Sequence, residues 1–137
     1  MTNERRICVK EIMKSAYGTI DRDSTILEAL NEMKRLQSAV LIVNKRNDND
    51  EYGLILVSDI ARQVLAKDKA PGRMNVYEIM TKPAICIDPN MDIRYCSRLM
   101  SKFNLTRVLV VKDKVVLGTV NPRALVLEGL VALAADD

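Results

Sequence analysis

The segment Val9-Lys-Glu-Ile-Met13 returns 67 residues later as Val76-Tyr-Glu-Ile-Met80, and this recurrence decides how the 137-residue chain is organised. Ten identities fall between positions 9 and 45 at that shift. After the polar loop 44–51 the shift falls to 65, so that Gly53 matches Gly118. A repeat of this length that occurs only twice indicates one duplicated supersecondary unit and not a solenoid.

The first copy predicts a short helix near residues 9–13, a brief strand at 18–20, an amphipathic helix, two strands and a closing helix. Thr25 and Glu28 form a capping-box pattern, after which apolar residues recur at helical spacing. The runs 39–43 and 52–57 are rich in β-formers, and 59–66 predicts the closing helix.

The second copy predicts the same order of elements. Its amphipathic helix has an apolar face made of Ile93, Cys96, Met100 and Phe103, and its strands are expected at 107–111 and 115–120. Asn121 is expected to cap the last helix, with Pro122 at the first helical position.

The chain therefore predicts repeat 1 over residues 7–66, a linker over 67–74 that contains Pro71-Gly72, and repeat 2 over 75–135. Apolar strands flanked by helices indicate an α/β (α+β) fold in which small sheets are covered by helices.

Composition indicates a globular protein, with 48% apolar and 28% charged residues. The longest apolar stretch, 124–135, is interrupted by Glu128 and is shorter than the roughly 18 residues of a membrane span. Residues 1–14 lack the apolar core of a signal peptide. These features predict a cytoplasmic protein.

The residue inventory argues against metal and catalytic chemistry. The sequence has no histidine, which removes the usual zinc ligand and the commonest general base. The cysteines are odd in number and contain no CxxC pair: Cys8, Cys86 and Cys96. We therefore expect reduced, mostly buried thiols. Because glycine-rich phosphate loops and nucleophile elbows are also absent from the sequence, we expect no enzyme activity and no metal.

Taken together, the motifs resemble the tandem cystathionine-β-synthase-type (CBS) domain pair, here as a stand-alone module of prokaryotic or archaeal type. The resemblance covers nearly the whole chain and is carried by the two segments quoted above, by Asp23-Ser-Thr-Ile-Leu-Glu-Ala29 and by Gly53-Leu-Ile-Leu-Val-Ser-Asp59-Ile60. It implies two β-α-β-β-α repeats packed about a pseudo-twofold axis, with two clefts that take AMP, ATP or another adenosyl compound and no further cofactor.

The resemblance also implies roles for individual residues. They are ribose binding by Asp59 and Ser58, adenine binding by Thr19, Ile20, Cys86 and Ile87, phosphate binding by Arg107, and a weaker second cleft at Asn121. The second cleft is expected to be weaker because Ala124 stands where the first copy has its aspartate. A carboxylate at a helix start suits a ribose diol, since the macrodipole favours it and the diol supplies two donors.

A plainer interpretation of each residue stays open. Ser58 or Asp59 simply caps a helix that begins at Ile60. The adenine-binding candidates fill ordinary strand positions, and Arg107 is a solvated strand end.

The sequence thus predicts a non-catalytic adenine-nucleotide sensor that signals to an unknown effector protein by reorientation of its repeats. A nucleic-acid-binding protein is an alternative suggested by the net charge of +3, although only 4% of the residues are aromatic. A ligand-free dimerisation module is another. Because 124–135 is apolar on nearly every face, we expect a homodimer through the helices after Asp59 and Asn121.

Overall fold

The computed structural model describes residues 5–135. The chain folds into two compact units. Unit 1 combines the N-terminal segment up to Ala16 with the chain from Ile85 onward, and unit 2 comprises Tyr17–Ala84. The leading segment of each sequence repeat therefore belongs to the unit that is formed mainly by the other repeat.

Unit 2 contains a three-stranded sheet and two main helices. The elements are β1 (Thr19–Ile20), α1 (Ile26–Leu36), β2 (Val40–Val43), β3 (Gly53–Leu56) and α2 (Val57–Ile60), which continues as a π-helix (Ala61–Leu65). Two 3₁₀-helices follow, Pro71–Arg73 and Val76–Glu78. Strand β2 is central, parallel to β1 and antiparallel to β3.

Unit 1 repeats this plan. A 3₁₀-helix (Val9–Glu11) is joined by β4 (Cys86–Ile87), α3 (Ile93–Lys102), β5 (Val108–Lys112) and β6 (Val115–Val120). One continuous helical segment then follows, formed by α4 (Pro122–Ala124), a π-helix (Leu125–Leu130) and α5 (Val131–Ala134), which we call the C-terminal helix. Strand β5 is parallel to β4 and antiparallel to β6.

The two leading segments are built alike and dock alike. Glu11 accepts a 2.7 Å hydrogen bond from the backbone N of Cys8, and Glu78 accepts one of 2.7 Å from the backbone N of Asn75. In unit 1 the backbone groups of Lys14 then exchange two 2.9 Å hydrogen bonds with those of Thr119. In unit 2 the corresponding bridge joins Thr81 to Leu54. The repeated segments 9–13 and 76–80 therefore lead into a residue that pairs with the third strand of the sheet, β6 in unit 1 and β3 in unit 2.

Each unit has its own hydrophobic core, in which one face of the amphipathic helix packs on the sheet. The members from α1 and its sheet include Ile26, Ala29, Met33, Leu41, Val43 and Ile55. Those from α3 and its sheet include Ile93, Cys96, Met100, Val108, Val110 and Val120. The expectation that Phe103 belongs to this face is wrong: it is the C-cap of α3 and is 58% exposed.

Only one of the three cysteines is buried, so the expectation of mostly buried thiols is wrong. None of the three is in a disulfide within residues 5–135; Cys8 is half-buried and Cys86 is exposed. Burial of Cys96 raises the pKa of its thiol to about 11, because a thiolate loses its hydration in the core.

The helix starts follow the sequence signals in two of three places. The Thr25 and Glu28 capping box is formed, and the Asn121 side chain caps the C-terminal helix by accepting a 2.7 Å hydrogen bond from the N of Ala124. Helix α2, however, begins at Val57 and not at Asp59. Across the part of the chain that is described, no helix has the length and apolar character of a membrane span.

Candidate functional site

Asp59 is a buried acidic residue in the first turn of α2. The residue is 8% exposed, and its Oδ1 accepts a 2.8 Å hydrogen bond from Nη2 of Arg62. Its Oδ2 is buried and has no hydrogen-bond partner within residues 5–135. An unsatisfied buried carboxylate oxygen costs roughly 1–3 kcal/mol, so its retention needs a reason other than stability.

Helix capping does not supply that reason. The N-cap of α2 is Leu56, whose side chain cannot accept a hydrogen bond, and Ser58 and Asp59 lie inside the first turn. The expectation that Ser58 or Asp59 caps a helix beginning at Ile60 is therefore wrong. Ser58 is exposed, one residue before the carboxylate.

The sequence did not single out Arg62, which fixes the orientation of the Asp59 carboxylate. The two residues are three positions apart on a helix, a spacing at which side chains of opposite charge meet. That spacing is the signal that identifies Arg62. The Arg62 side chain is 63% exposed, and it bonds only Oδ1, so the buried Oδ2 is left without a partner among the described residues.

Thr19 and Ile20 form β1 on the same sheet as the strand that leads into α2. Thr19 pairs with Ile42 and Ile20 with Val43, while the last residue of β3, Leu56, pairs with Val40. Two interstrand spacings, about 10 Å, separate β1 from β3. Thr19 is exposed and Ile20 half-buried. Unit 2 thus holds the candidate ribose residues and one pair of adenine-binding candidates on one small sheet.

Cys86 and Ile87 form the equivalent strand of unit 1, paired with Leu109 and Val110. Cys86 is exposed, whereas Ile87 is 5% exposed and belongs to the hydrophobic core. A ligand could therefore reach the Cys86 side chain, but only the backbone of Ile87.

Arg107 and Asn121 lie side by side at one end of the unit 1 sheet. Arg107 precedes Val108 and Asn121 follows Val120, and Val108 pairs with Val120. Asn121 Oδ1 is already committed to the helix cap described above. Asn121 therefore keeps only its Nδ2 for a ligand, whereas Arg107 keeps the donors of its guanidinium other than the one that bonds Thr106.

Arg107 is a half-buried cation. Its Nη1 donates a 3.3 Å hydrogen bond to the carbonyl of Thr106, and it has no carboxylate partner in the described part of the chain. Burial lowers the pKa of its guanidinium, because the charged form is partly desolvated. A partly dehydrated guanidinium without a counterion suits a phosphate, which it can bind bidentately.

A cavity of about 510 Å³ lies beside Asn121 in unit 1. It is lined by the leading segment and the start of the C-terminal helix, with Lys14, Arg123, Glu11 and Glu128 as its charged residues. Ala124, which also lines it, stands where unit 2 has Asp59. This cavity has cations for an anionic group but no aspartate at the position that could accept hydrogen bonds from a ribose.

Within residues 5–135 there is no cluster of three or more histidine, cysteine or acidic side chains able to hold a metal ion.

Solved structures share this fold. A hexameric CBS-CP12 protein from bloom-forming cyanobacteria is 31% identical, with a TM-score of 0.87 over 90% of this chain and 71% of that one. A CBS domain protein of Pyrobaculum aerophilum, solved as a complex with AMP, is 20% identical, with a TM-score of 0.78 over 94% of this chain and 99% of that one. At that identity the second likeness shows the fold alone.

Curated relatives are longer than this chain, which covers only part of each of them. The CBS domain-containing protein YhcV of Bacillus subtilis is 27% identical over 112 residues, covering 82% of this chain and 78% of the relative. The chain spans 55% of a 24% identical Methanopyrus kandleri protein. It spans only 20% of the homoserine O-acetyltransferase of Methanobrevibacter ruminantium, to which it is 31% identical over 105 residues.

The family model for the CBS domain matches residues 9–66 and again residues 76–129, which together make up most of the chain. The two matches follow the duplication read from the sequence, and the two sheets with their helices match tandem CBS structures. The chain therefore belongs to the CBS domain family, of which it carries two tandem copies.

Proposed function

We propose that this chain is a non-catalytic regulatory module that binds an adenine nucleotide, with Asp59 as the acceptor of the ribose hydroxyls. The observation that carries the proposal is the buried, unpartnered Oδ2 of Asp59, because a hydroxyl donor from a ligand would satisfy it. Support also comes from the AMP complex of the Pyrobaculum aerophilum protein, which has the same fold.

Arg107 is the proposed phosphate ligand. Its guanidinium is half-buried and has no carboxylate partner among residues 5–135, as a phosphate-binding arginine requires. Thr19, Ile20, Cys86 and Ile87 are the proposed adenine-binding positions, with Ser58 beside the ribose. Asn121 belongs to a second and weaker site, because its Oδ1 already caps a helix.

The proposed module acts by changing its conformation and not by chemistry. A nucleotide that binds one arrangement of the chain more tightly than another shifts the population towards it, and a separate partner protein detects that shift. We further propose that the module is a homodimer, because the helices after Asp59 and Asn121 expose large apolar side chains. Leu65 is 80% exposed, Leu127 50% and Val131 58%.

Calorimetric titration with AMP, ATP and S-adenosylmethionine tests the proposal. We expect saturable binding of at least one of these ligands, a loss of at least tenfold in affinity in Asp59→Ala and a smaller loss in Asp59→Asn. Asp68→Asn, which changes an exposed carboxylate nine residues further on, is the control and should bind as the wild type does. Incubation with ATP should give no hydrolysis.

Unfolding of the ligand-free variants separates a binding role from a structural one. Asp59→Ala should be as stable as the wild type or more stable by about 1 kcal/mol, because it removes an unsatisfied buried oxygen. A large loss of stability, or unchanged affinity for every ligand, would remove Asp59 from the site. Absence of binding by all three ligands would leave the alternative of a dimerisation module without a ligand.

A further inference from the structure

Charge is unevenly shared between the two units. Residues 5–16 and 85–135 of unit 1 contain eleven lysines and arginines but five acidic residues, whereas unit 2 contains ten of each. No acidic residue occurs between Asp92 and Asp113, the stretch that includes α3. Five cations lie in that stretch: Arg94, Arg98, Lys102, Arg107 and Lys112. Unit 1 therefore carries an excess of positive charge that attracts polyanions, although the whole chain has a net charge of only +3.

The exposed face of α3 combines two of these cations with two aromatic rings. We call Tyr95, Arg98, Lys102 and Phe103 the α3 patch. Tyr95 is 62% and Phe103 58% exposed, and both cations are exposed as well. The guanidinium carbon of Arg98 lies 5.3 Å from the centroid of the Tyr95 ring, and Nζ of Lys102 lies 5.6 Å from that of Phe103. The patch thus presents positive charge and ring surface side by side.

The cations of the α3 patch are not neutralised by carboxylates. No ion pair involves Arg98 or Lys102 among residues 5–135. The five acidic residues of unit 1 are engaged or lie on other elements. Asp92 stands 3.6 Å from Arg94, Asp88 stands 4.0 Å from Lys112, Glu11 accepts from a backbone N–H, Asp113 lies in the β5–β6 turn, and Glu128 lies on the C-terminal helix. Both patch cations are therefore available to an external anion.

The equivalent helix of unit 2 has no such patch. At the repeat shift of 67, the four positions are occupied on α1 by Glu28, Asn31, Arg35 and Leu36. The glutamate belongs to the capping box, and the arginine forms an ion pair with Glu32. Unit 2 therefore offers at this face one neutralised cation and no aromatic ring, so the patch is a feature of unit 1 and not of the shared fold.

The α3 patch is distinct from the apolar groove between α3 and the C-terminal helix. That groove has a volume of about 420 Å³, and Arg5 already joins its two helices by hydrogen bonds of 3.0 and 3.2 Å. Ser97 lines the groove, and Tyr95, two residues before it, lies about 200° around the helix. Of the patch, only Arg98 borders the groove. The groove thus stays available for an apolar contact with a second copy while the patch binds another partner.

We propose that the α3 patch binds a single-stranded nucleic acid, whose phosphates pair with Arg98 and Lys102 and whose bases stack on Tyr95 and Phe103. A single strand presents both phosphates and base faces, whereas a duplex keeps its base faces inside and an acidic peptide need not carry a ring. The two aromatic residues are eight positions apart, about 12 Å along the helix, which matches three to four stacked nucleotides. This activity goes beyond the proposed nucleotide sensing and shares no residue with that site.

Binding of a fluorescein-labelled thymidine dodecamer to the full chain, followed by anisotropy at low salt, tests the patch. Thymidine is the probe because it lacks the adenine that the proposed nucleotide site binds. The controls are the duplex of the same strand with its complement, and inorganic polyphosphate as an unlabelled competitor. We expect the single strand to bind about fivefold more tightly than the duplex, since only its bases can stack, and polyphosphate to compete weakly.

Variants separate the charge from the stacking. Arg98→Gln and Lys102→Gln should each weaken binding and reduce the slope of log affinity against log salt by about 0.7, the value of one phosphate contact with a single strand. Tyr95→Leu should weaken binding about fivefold with the slope unchanged. Arg35→Gln, which changes the equivalent cation of α1, is the matched control and should bind as the wild type does. Thermal unfolding checks that these exposed substitutions leave the fold intact.

Four results would overturn the proposal. They are no binding of the single strand at low salt, equal or tighter binding of the duplex, unchanged binding in the double variant Arg98→Gln and Lys102→Gln, and displacement of the strand by AMP. Loss of binding in Val131→Glu, which places a charge in the proposed dimer contact, would also overturn a site within one chain. Arg98→Gln should bind AMP as the wild type does, and Asp59→Ala should still bind the strand, so failure of the patch and failure of the nucleotide site are distinguishable.

Discussion

Arg62 donates a 2.8 Å hydrogen bond to Oδ1 of Asp59, and the other oxygen of that carboxylate is buried without a partner among residues 5–135. The arginine thus fixes the carboxylate in an orientation that leaves Oδ2 without a hydrogen-bond donor. Because the Arg62 side chain is 63% exposed, this ion pair contributes little to stability. The role of the ion pair is to hold the Asp59 carboxylate in position.

We therefore expect Arg62→Gln to weaken nucleotide binding several-fold with little change in thermal stability, because the glutamine amide can still donate to Oδ1 but carries no charge. Calorimetric titration and thermal unfolding measure the two effects. Arg35→Gln is the matched control, because Arg35 forms an exposed ion pair with Glu32 at the same helical spacing on α1. If both variants bind nucleotide as the wild type does, Arg62 has no positioning role.

A second prediction concerns the ion pair that ties the β2–β3 loop to the segment before Ala84. Nζ of Lys82 lies 2.6 Å from Oδ1 of Asp50, and the backbone N of Arg46 donates a 2.9 Å hydrogen bond to Oδ2. The Lys82 ammonium, followed by the Arg46 amide, holds the pKa of the Asp50 carboxyl well below its usual range. Unfolding restores the pKa to about 3.9, so the ion pair stabilises the fold above that pH and less as the pH falls below it.

Asp50→Asn should consequently lower the melting temperature at pH 7, and its difference from the wild type should shrink as the pH falls from about 4 towards 2. Thermal unfolding at several pH values measures this. Asp48→Asn changes an exposed carboxylate of the same loop and should match the wild type throughout. A difference between Asp50→Asn and the wild type that does not vary with pH would contradict the assignment.

The two motif glycines give a prediction from close packing. A Cβ at Gly118 would lie 2.7 Å from the carbonyl oxygen of Lys14, in a bridge whose two backbone hydrogen bonds fix that oxygen. A Cβ at Gly53 would meet the equivalent oxygen, that of Thr81, at 3.2 Å. The glycines allow each leading segment to reach the third strand of its sheet.

Gly118→Ala should therefore destabilise the protein by about 2 kcal/mol, at the middle of the range for overpacking, and Gly53→Ala by less. Denaturant unfolding compares the two variants directly. Equal losses would mean that the leading segment of unit 1 shifts to make room, and the close approach at Gly118 would then carry no special cost.

Sequence reasoning predicted the elements but not the way the repeats share them. The capping signals at Thr25 and Asn121 act over three residues, so the local pattern suffices to locate them. The docking of Lys14 on Thr119 joins residues more than a hundred positions apart, and no local pattern encodes such a partner. Phe103 continues the apolar spacing of α3, but the helix ends one residue before it, so its side chain lies at the surface.

The candidate site was accessible to sequence reasoning only in part. The repeat motif located Asp59, but a motif cannot show which carboxylate oxygen has a partner and which has none. Helix α2 starts at Val57 because β3 runs directly into it, and this start excludes Asp59 as the cap. A motif does not show where the strand passes into the helix.

The apolar face of the C-terminal helix gives a prediction about assembly. Leu127 and Val131 are half-exposed and lie one turn apart on the C-terminal helix. If they form the dimer contact, Val131→Glu should give a monomeric mass by light scattering at concentrations where the wild type is a dimer. Glu128→Gln, on an exposed position of the same helix, is the control and should stay dimeric. A wild type that is monomeric throughout would exclude the dimer.

Arg107 gives a prediction that separates phosphate from nucleoside recognition. Because its guanidinium is half-buried and has no carboxylate partner in the described chain, Arg107→Gln should not destabilise the ligand-free protein. If Arg107 binds phosphate, the variant should lose about tenfold in affinity for AMP, the effect of one charge-assisted contact, and nothing in affinity for adenosine. Titration of both ligands into both proteins makes the comparison internal, since adenosine lacks only the group in question. An equal loss of affinity for adenosine would mean that Arg107 shapes the site and does not bind the phosphate. An unchanged affinity for AMP would assign the phosphate to another cation. Lys14 and Arg123 in the unit 1 cavity are the next candidates.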